Sequence, residues 1–218
     1  MRFRIGCSVL LILTFAAPNA SAQVDVGLTG SALLTIQPIN DWYGGSPYLN
    51  EGIGGLAPGL AAGVSVITRS GLAMIGEFST ARSFEQSQKG RLVDTLRNSS
   101  GSGTSDTRMR DSLWSALIGF AIGGTARRLI IAGGVTWVTT TMTENGTPIK
   151  DFDFGGRAEH SALAMSAGAD FHNQLAERVS LVIGGRFSGV DRSSIARNLG
   201  AGGHIVRITG GIRLRFSK

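Results

Sequence analysis

Eight stretches of this sequence place an apolar residue at every second position. Successive side chains of a β-strand point to opposite faces, so a period of two indicates strands rather than helices. Each stretch has about 10 to 14 residues, and a tilted strand that crosses a bilayer needs roughly 9–11 residues. The pattern therefore predicts an all-β fold with strands of membrane-crossing length. The stretches are residues 24–36, 58–69, 71–82, 111–124, 128–141, 160–171, 178–190 and 204–216.

The connections between these stretches alternate between long and short along the chain. In an antiparallel arrangement, every second connection lies at the same end, so the long connections would share one end and both chain termini the other. This order predicts an eight-stranded antiparallel up-and-down transmembrane β-barrel with short turns at one end and long loops at the other. The long connections are residues 37–57, 83–110, 142–159 and 191–203, and the short ones are residues 70–71, 125–127 and 172–177.

The composition of the two strand faces predicts which face meets the outside of the barrel. In the eighth stretch, Ile208 and Leu214 lie on one face and Arg207 lies on the other. The polar faces are rich in glycine, serine and threonine, and lysine is nearly absent from the strands, although it is common on wet strand surfaces. We therefore expect the apolar faces outside, toward lipid, and a narrow, filled interior. A soluble lipocalin-like binding barrel with its apolar faces inside is the alternative.

The beginning of the chain has the pattern of a secretory signal peptide. Two arginines precede an apolar run that is too short to span a bilayer as a helix, and Ala20 and Ala22 form an A-x-A cleavage site. We therefore predict a signal peptide over residues 1–22 and one exported barrel domain over residues 23–218. The alternative for residues 1–22 is a short membrane anchor that is not cleaved.

Residues that could hold a metal ion or carry redox chemistry are scarce. The chain has one cysteine, Cys7, which excludes a disulfide framework or a zinc ribbon, and its three histidines lack metal-binding spacing. Residues 151–155 (DFDFG) resemble the start of a calcium loop, but Ala162 occupies the position that requires a glutamate. The sequence therefore predicts no metal, no other cofactor and no nucleic-acid partner.

The signal peptide, the strand count, the order of connections and the final strand GHIVRITGGIRLRF together resemble the eight-stranded outer-membrane β-barrel superfamily. That group includes the OmpA transmembrane domain, OmpX and OmpW, and the resemblance covers residues 23–218. It implies insertion in the bacterial outer membrane, contact with outer-membrane lipid and lipopolysaccharide, and recognition of the last strand by the barrel-assembly machinery. In the family, that strand typically ends in an aromatic residue. Phe216 fits this pattern, although Ser217 and Lys218 follow it.

Seven charged residues fall on the predicted inward faces. Unpaired charges in a narrow lumen are costly to desolvate, so these groups are expected to pair across it. The resemblance implies a similar salt-bridged interior. A narrow, gated ion path that favours anions is the alternative, because the arginines outnumber the carboxylates. The predicted lumen charge network consists of Asp25, Glu77, Asp170, Arg186, Arg207, Arg213 and Arg215.

Eight basic residues are predicted at the outer rim and in the long loops. Their functional interpretation is contact with lipopolysaccharide phosphates or with an external partner. The alternative is a hydrophilic loop surface without a specific ligand. These residues are Arg82, Lys89, Arg91, Arg97, Arg108, Arg110, Arg192 and Arg197.

The sequence therefore predicts a structural or surface-interaction protein of the outer membrane, with extracellular loops and a lumen filled by side chains. The alternatives are an OmpW-like narrow channel or carrier for small molecules, and a soluble periplasmic binding barrel. The superfamily includes enzymes that modify lipid A, but their spaced His-x-Ser-Asn pattern is absent here. Because His160 and Ser161 are adjacent, they would point to opposite strand faces. We therefore predict no enzymatic activity.

Overall fold

The computed structural model is built almost entirely of antiparallel β-strands. It describes residues 24–38, 53–94, 99–148, 150, 158–192 and 201–216. Across these ranges, no helix has the length and apolar character that crossing a membrane requires. The strands are β1 (Asp25–Gln37), β2 (Gly55–Ile67), β3 (Leu72–Ala81), β4 (Phe84–Asp94), β5 (Ser99–Gly123), β6 (Arg127–Glu144), β7 (Thr147–Pro148), β8 (Glu159–Ala176), β9 (Val179–Gly189) and β10 (His204–Arg215).

Eight of these strands close into one barrel. Around the ring, the neighbours are β1, β2, β3, β5, β6, β8, β9 and β10, and β10 pairs again with β1. The closing seam runs from Gly27 opposite Arg215 to Ile36 opposite Val206. All eight predicted stretches are strands of this ring, so the predicted eight-stranded antiparallel up-and-down barrel is confirmed.

The two ends of the barrel differ in their connections. The short turns after β2, β5 and β8 lie at the same end as the start of β1 and the end of β10. We call this the turn end and the opposite one the loop end. At the loop end, β6 folds back on the short strand β7 through Asn145 and Gly146. Both residues have positive φ values, 49° and 78°, as a tight type I′ hairpin turn requires.

The prediction of a long loop at residues 83–110 is wrong. Strand β4 and the first part of β5 form an antiparallel ribbon, from Phe84 opposite Met109 to Asp94 opposite Ser99. Since only two residues separate β3 from β4, the ribbon continues the barrel strands β3 and β5 beyond the loop end. Its serine-, glycine- and threonine-rich sequence has no alternation of apolar residues, which explains the error. The ribbon is held together by its backbone ladder instead.

Large apolar side chains cover the outside of the barrel. Leu60, Ile118 and Met165 are 69%, 58% and 71% exposed, whereas the inward-pointing Arg207 and Arg213 are 0% and 1% exposed. The predicted orientation of the faces is therefore confirmed. The lipocalin-like alternative is wrong for the described strands, because it requires the apolar faces inside.

Apolar side chains also occupy parts of the lumen. Ile67 and Ile130, which interrupt the polar faces of their strands in the sequence, pack together with Leu117. Val138 packs with Leu113 in a second cluster. The lumen is therefore filled by apolar clusters as well as by charged groups. A third cluster contains Ile53, Ala57, Ala81, Phe84, Met109, Met142 and Ala201.

Glycines allow neighbouring groups to approach closely in this narrow barrel. A Cβ atom on Gly119 would collide with the carbonyl oxygen of Ile131 on the adjacent strand. A Cβ atom on Gly27 would collide with the guanidinium of Arg213. These positions account for part of the high glycine content, 32 residues in the chain.

Candidate functional site

Two arginines and two carboxylates form a charged layer in the middle of the lumen. Arg186 binds Asp170 with both ends of its guanidinium, Nη1 to Oδ1 at 2.7 Å and Nη2 to Oδ2 at 2.6 Å. Arg207 donates from Nη1 to Oε1 of Glu77 at 2.8 Å, and Oε2 of Glu77 lies 3.6 Å from Nη2 of Arg186. Glu77 therefore joins the two arginines, and the charges of this central layer balance.

Strand register explains why Glu77 is needed at that place. Arg186 on β9 and Arg207 on β10 are directly opposite each other in the ladder, and like charges in that position repel. Glu77 reaches both from β3, across the lumen. Arg207 also donates from Nη1 to Ser79 Oγ at 2.6 Å and from Nη2 to Ser115 Oγ at 3.3 Å, so both of its terminal nitrogens have polar partners in the buried lumen.

A chain of hydroxyl groups continues from this layer around the barrel wall. Ser115 and Thr136 are 2.8 Å apart at their hydroxyl oxygens, Thr136 and Ser166 are 2.6 Å apart, and Ser166 and Ser188 are 2.6 Å apart. The chain satisfies buried polar atoms of four strands. Beside the central layer lies a cavity of about 30 Å³ whose lining includes Asp170 and Arg186, which is room for about one or two water molecules.

A second charged cluster lies at the turn end, around Asp25. Its carboxylate contacts Arg128 at 2.7 Å, Arg213 at 2.9 Å and Arg215 at 3.3 Å. Arg213 also donates from Nε to Ser65 Oγ at 2.9 Å. The structure thus brings all seven residues of the predicted lumen network to the lumen side, in two separate layers.

Arg128 was missed by the sequence analysis. It shares an inward face with the apolar Ile130, so the face did not look polar. Counting every second position back from Ile130 would have found it.

A third charged cluster lies toward the loop end and was also missed. Arg192 donates from Nη1 to Asp111 Oδ1 at 2.9 Å and to Thr140 Oγ1 at 2.8 Å, and from Nη2 to Asp111 Oδ2 at 2.8 Å and to Gln37 Oε1 at 3.0 Å. Its Nε donates to the carbonyl oxygen of Gly202 at 3.3 Å. All of its donor nitrogens are therefore occupied, and the cluster ties β1, β5 and β6 to the connection between β9 and β10.

The predicted role of Arg192 as an external basic contact is therefore wrong. Its side chain is 1% exposed, because the buried carboxylate of Asp111 binds it inside the barrel. The alternation of β5 places Asp111 on the same inward face as Leu113, so counting along the strand would have identified the carboxylate. Nothing in the sequence near Arg192 indicates its partner.

Three other predicted rim residues are exposed. Arg108 forms a surface ion pair with Glu85 at 3.2 Å, and Arg110 donates from Nη2 to Thr80 Oγ1 at 3.2 Å. Arg82 also lies on the surface. The other residues named in the predictions fall outside the described residues or side chains: they are Lys89, Arg91, Arg97, Arg197, the cleavage-site residues Ala20 and Ala22, and residues 151–155.

His160 and Ser161 lie on opposite faces of β8. His160 is buried, with Nε2 3.4 Å from the carbonyl oxygen of Asp191, whereas Ser161 is exposed and its hydroxyl lies 3.2 Å from that of Thr139. The two side chains therefore cannot act on one substrate atom. In the part of the chain with described side chains, no group of three or more His, Cys, Asp or Glu is placed to hold a metal ion.

No protein-family model and no curated protein sequence matches the chain. Among solved structures, it is similar to the outer membrane protein OprG from Pseudomonas aeruginosa, with a TM-score of 0.53, 11% identity, and coverage of 90% of this chain and 98% of that chain. It also aligns with Ail, the attachment invasion locus protein of Yersinia pestis, with a TM-score of 0.48, 11% identity, and coverage of 90% and 100%. Neisserial surface protein A aligns with a TM-score of 0.46, 10% identity, and coverage of 90% and 100%. The similarity to OprG shows that the chain has the fold of an outer-membrane β-barrel.

Proposed function

We propose that this chain is an integral outer-membrane protein whose barrel is a membrane anchor with a closed lumen, and whose loop end forms an external interaction surface. The observation that carries the proposal is the outward apolar surface. It includes large side chains on strands β1, β2, β5, β6, β8, β9 and β10, and many of these are more than half exposed. Soluble monomers rarely expose continuous apolar patches larger than a few hundred Å². Contact with lipid instead of water removes the free-energy cost of exposing these apolar side chains.

The backbone of the ring supports the same environment. Lipid offers no hydrogen-bond partners, so a β-structure can cross a bilayer only as a closed ring. The pairing of β10 with β1 and of β5 with β6 leaves no open edge among the eight barrel strands. Strands β4 and β7 each have one unpaired edge, and both strands belong to the extensions beyond the loop end.

The filling of the lumen favours an anchor over a channel. Three charged clusters, centred on Glu77, Asp25 and Asp111, alternate with apolar clusters along the barrel. An ion on this path would have to break buried ion pairs and lose its water in the apolar layers, both of which are costly.

The ribbon of β4 and β5 supports the surface role. It extends beyond the barrel strands and carries Arg108 and Arg110 on exposed positions near its base. Guanidinium groups bind phosphate and carboxylate groups well, so lipopolysaccharide phosphates or an acidic partner are suitable ligands. The proposal also includes recognition of β10, with the exposed Phe216 after it, by the barrel-assembly machinery.

A substitution on the outer face tests the membrane environment. Ile183 is 53% exposed in the middle of β9. In lipid, arginine near the bilayer midplane costs about 2–4 kcal/mol, whereas on a water-exposed surface Ile183→Arg would be nearly neutral. Thr147→Arg, on the exposed strand β7 beyond the barrel, is the matched control. We expect Ile183→Arg alone to reduce the heat-modifiable, folded form in isolated outer membranes. Recovery of the wild-type chain in the soluble periplasmic extract would overturn the proposal.

Planar-bilayer conductance tests whether the lumen is closed. The wild-type protein should give no steady conductance above the lipid background. A sustained anion-selective conductance would contradict the closed lumen and favour the narrow channel.

A further inference from the structure

A cavity of about 450 Å³ opens the barrel at its turn end. It lies between the start of β1, the turn at residues 68–71 and the turn at residues 123–125. Its charged lining side chains are Asp25, Arg69, Arg128 and Arg215. The volume is within the range of roughly 300–1,000 Å³ that small-molecule sites occupy. We call this cavity the turn-end vestibule.

Charge is balanced elsewhere in the lumen but not at the vestibule. The central layer has two arginines and two carboxylates, and Arg192 near the loop end has Asp111. At the turn end, Arg128, Arg213 and Arg215 all contact the single carboxylate of Asp25. The surplus of positive charge in the described lumen is therefore concentrated beside the vestibule.

Donor groups remain free there. Oδ2 of Asp25 accepts from Arg128 and Oδ1 from Arg213, while the Nε of Arg215, which is buried, lies 3.3 Å from Oδ1 without a hydrogen bond. A guanidinium has five N–H donors. Arg128 and Arg215 thus keep donors without an acceptor among the described residues. Arg69, which is exposed on the neighbouring turn, has no ion pair with any carboxylate in the described ranges.

We propose that the turn-end vestibule binds a phosphate group through Arg69, Arg128 and Arg215. The forked guanidinium matches the oxygens of a tetrahedral oxyanion and binds them through two parallel hydrogen bonds. A bound phosphate would neutralise the surplus charge that Asp25 leaves unmatched. The same chemistry is offered by a soluble phosphorylated molecule and by a phospholipid headgroup, so the experiment has an arm for each.

Isothermal titration calorimetry in octyl glucoside micelles tests the site, because this detergent has no phosphate of its own. In one arm, sodium phosphate is titrated into the protein, and the result is compared with a titration of sodium chloride at equal ionic strength. This comparison removes the effect of general salt screening. In the other, the micelles contain phosphatidylglycerol in place of inorganic phosphate. The protein is in detergent throughout, so the result does not depend on its location in the cell.

Three single variants test whether the arginines of the vestibule bind the phosphate. Arg69→Gln and Arg215→Gln should each weaken phosphate binding by about tenfold, since each removes a charged hydrogen-bond donor. Arg178→Gln, at an exposed position of the same end but outside the lining, should bind as the wild type does. The heat-dependent gel shift checks that each variant is folded. Arg69 is a surface residue, so its variant keeps the test valid if Arg215→Gln fails to fold.

The outcomes separate clearly. Saturable binding of inorganic phosphate supports a soluble ligand, and binding of phosphatidylglycerol alone supports a lipid headgroup. In both cases, the proposal requires that binding be weaker in Arg69→Gln and in Arg215→Gln than in the wild type. An equal response to chloride, an equal loss in Arg178→Gln, or no binding in either arm would overturn the proposal.

Discussion

Glu77 on β3 and Arg207 on β10 join opposite walls of the barrel through an ion pair of 2.8 Å, although 130 positions separate them in the chain. Glu77 also lies 3.6 Å from Arg186, the ladder neighbour of Arg207. This carboxylate therefore lies between two arginines that would otherwise repel each other, and together with Asp170 it balances their charge inside a narrow lumen.

Loss of that carboxylate should destabilise the barrel strongly. In Glu77→Gln, Arg207 keeps only neutral partners, and removal of one member of a buried ion pair costs about 3–5 kcal/mol. Denaturant unfolding of the protein in lipid vesicles, followed by the gel shift, measures this loss. Glu85→Gln is the control, since its pair with Arg108 is on the surface and should contribute about 0.5 kcal/mol or less. Equal stability of the two variants would contradict the bridging role of Glu77.

The pair of Arg192 and Asp111 gives a prediction about coupling. Arg192→Met should destabilise the protein by about 3–5 kcal/mol, because it leaves the Asp111 carboxylate buried without its main partner. The double variant Asp111→Leu/Arg192→Met removes both charges and should regain much of that loss. Unfolding free energies of the two singles and the double form a double-mutant cycle. Additive losses would show that the two residues do not act as a pair.

Two glycines provide a matched test of barrel curvature. Gly119→Ala places a methyl group against the Ile131 carbonyl oxygen and should cost about 1–3 kcal/mol. Gly210→Ala, on the outer face of β10, meets no atom within 4 Å and should stabilise the strand by about 0.5–1 kcal/mol. The midpoint of thermal unfolding in detergent distinguishes them. Similar midpoints would contradict the close approach of β5 and β6.

The tryptophans report on the lipid boundary. Trp114 and Trp137 are directly opposite each other on β5 and β6 and are 62% and 47% exposed on the outer face. In a Trp42→Phe background, their fluorescence should be quenched strongly by lipids with brominated tails and only weakly by aqueous acrylamide. Urea-unfolded protein is the control and should show the reverse. Strong acrylamide quenching of the folded protein would place this face in water.

Much of the barrel could be predicted without a structure, because side chains alternate between strand faces whatever the partner strand is. That rule placed Arg207 inward and Ile208 outward, and it also put Asp25, Glu77 and Asp170 on the lumen side. The alternation of long and short connections then determined which connections, and which chain termini, lie at the same end of the barrel. These properties depend on neighbouring residues, so the sequence by itself is sufficient to determine them.

Only the tertiary structure decided which lumen charges meet and where the strands end. Asp111 and Arg192 are 81 positions apart, and Asp25 and Arg128 are 103 apart. Such contacts depend on the register of every strand between them around the ring. The ribbon of β4 and β5 could not be predicted from the sequence for a different reason. Its backbone ladder forms without apolar alternation in its serine-, glycine- and threonine-rich sequence, so this pairing leaves no periodic signal in the sequence.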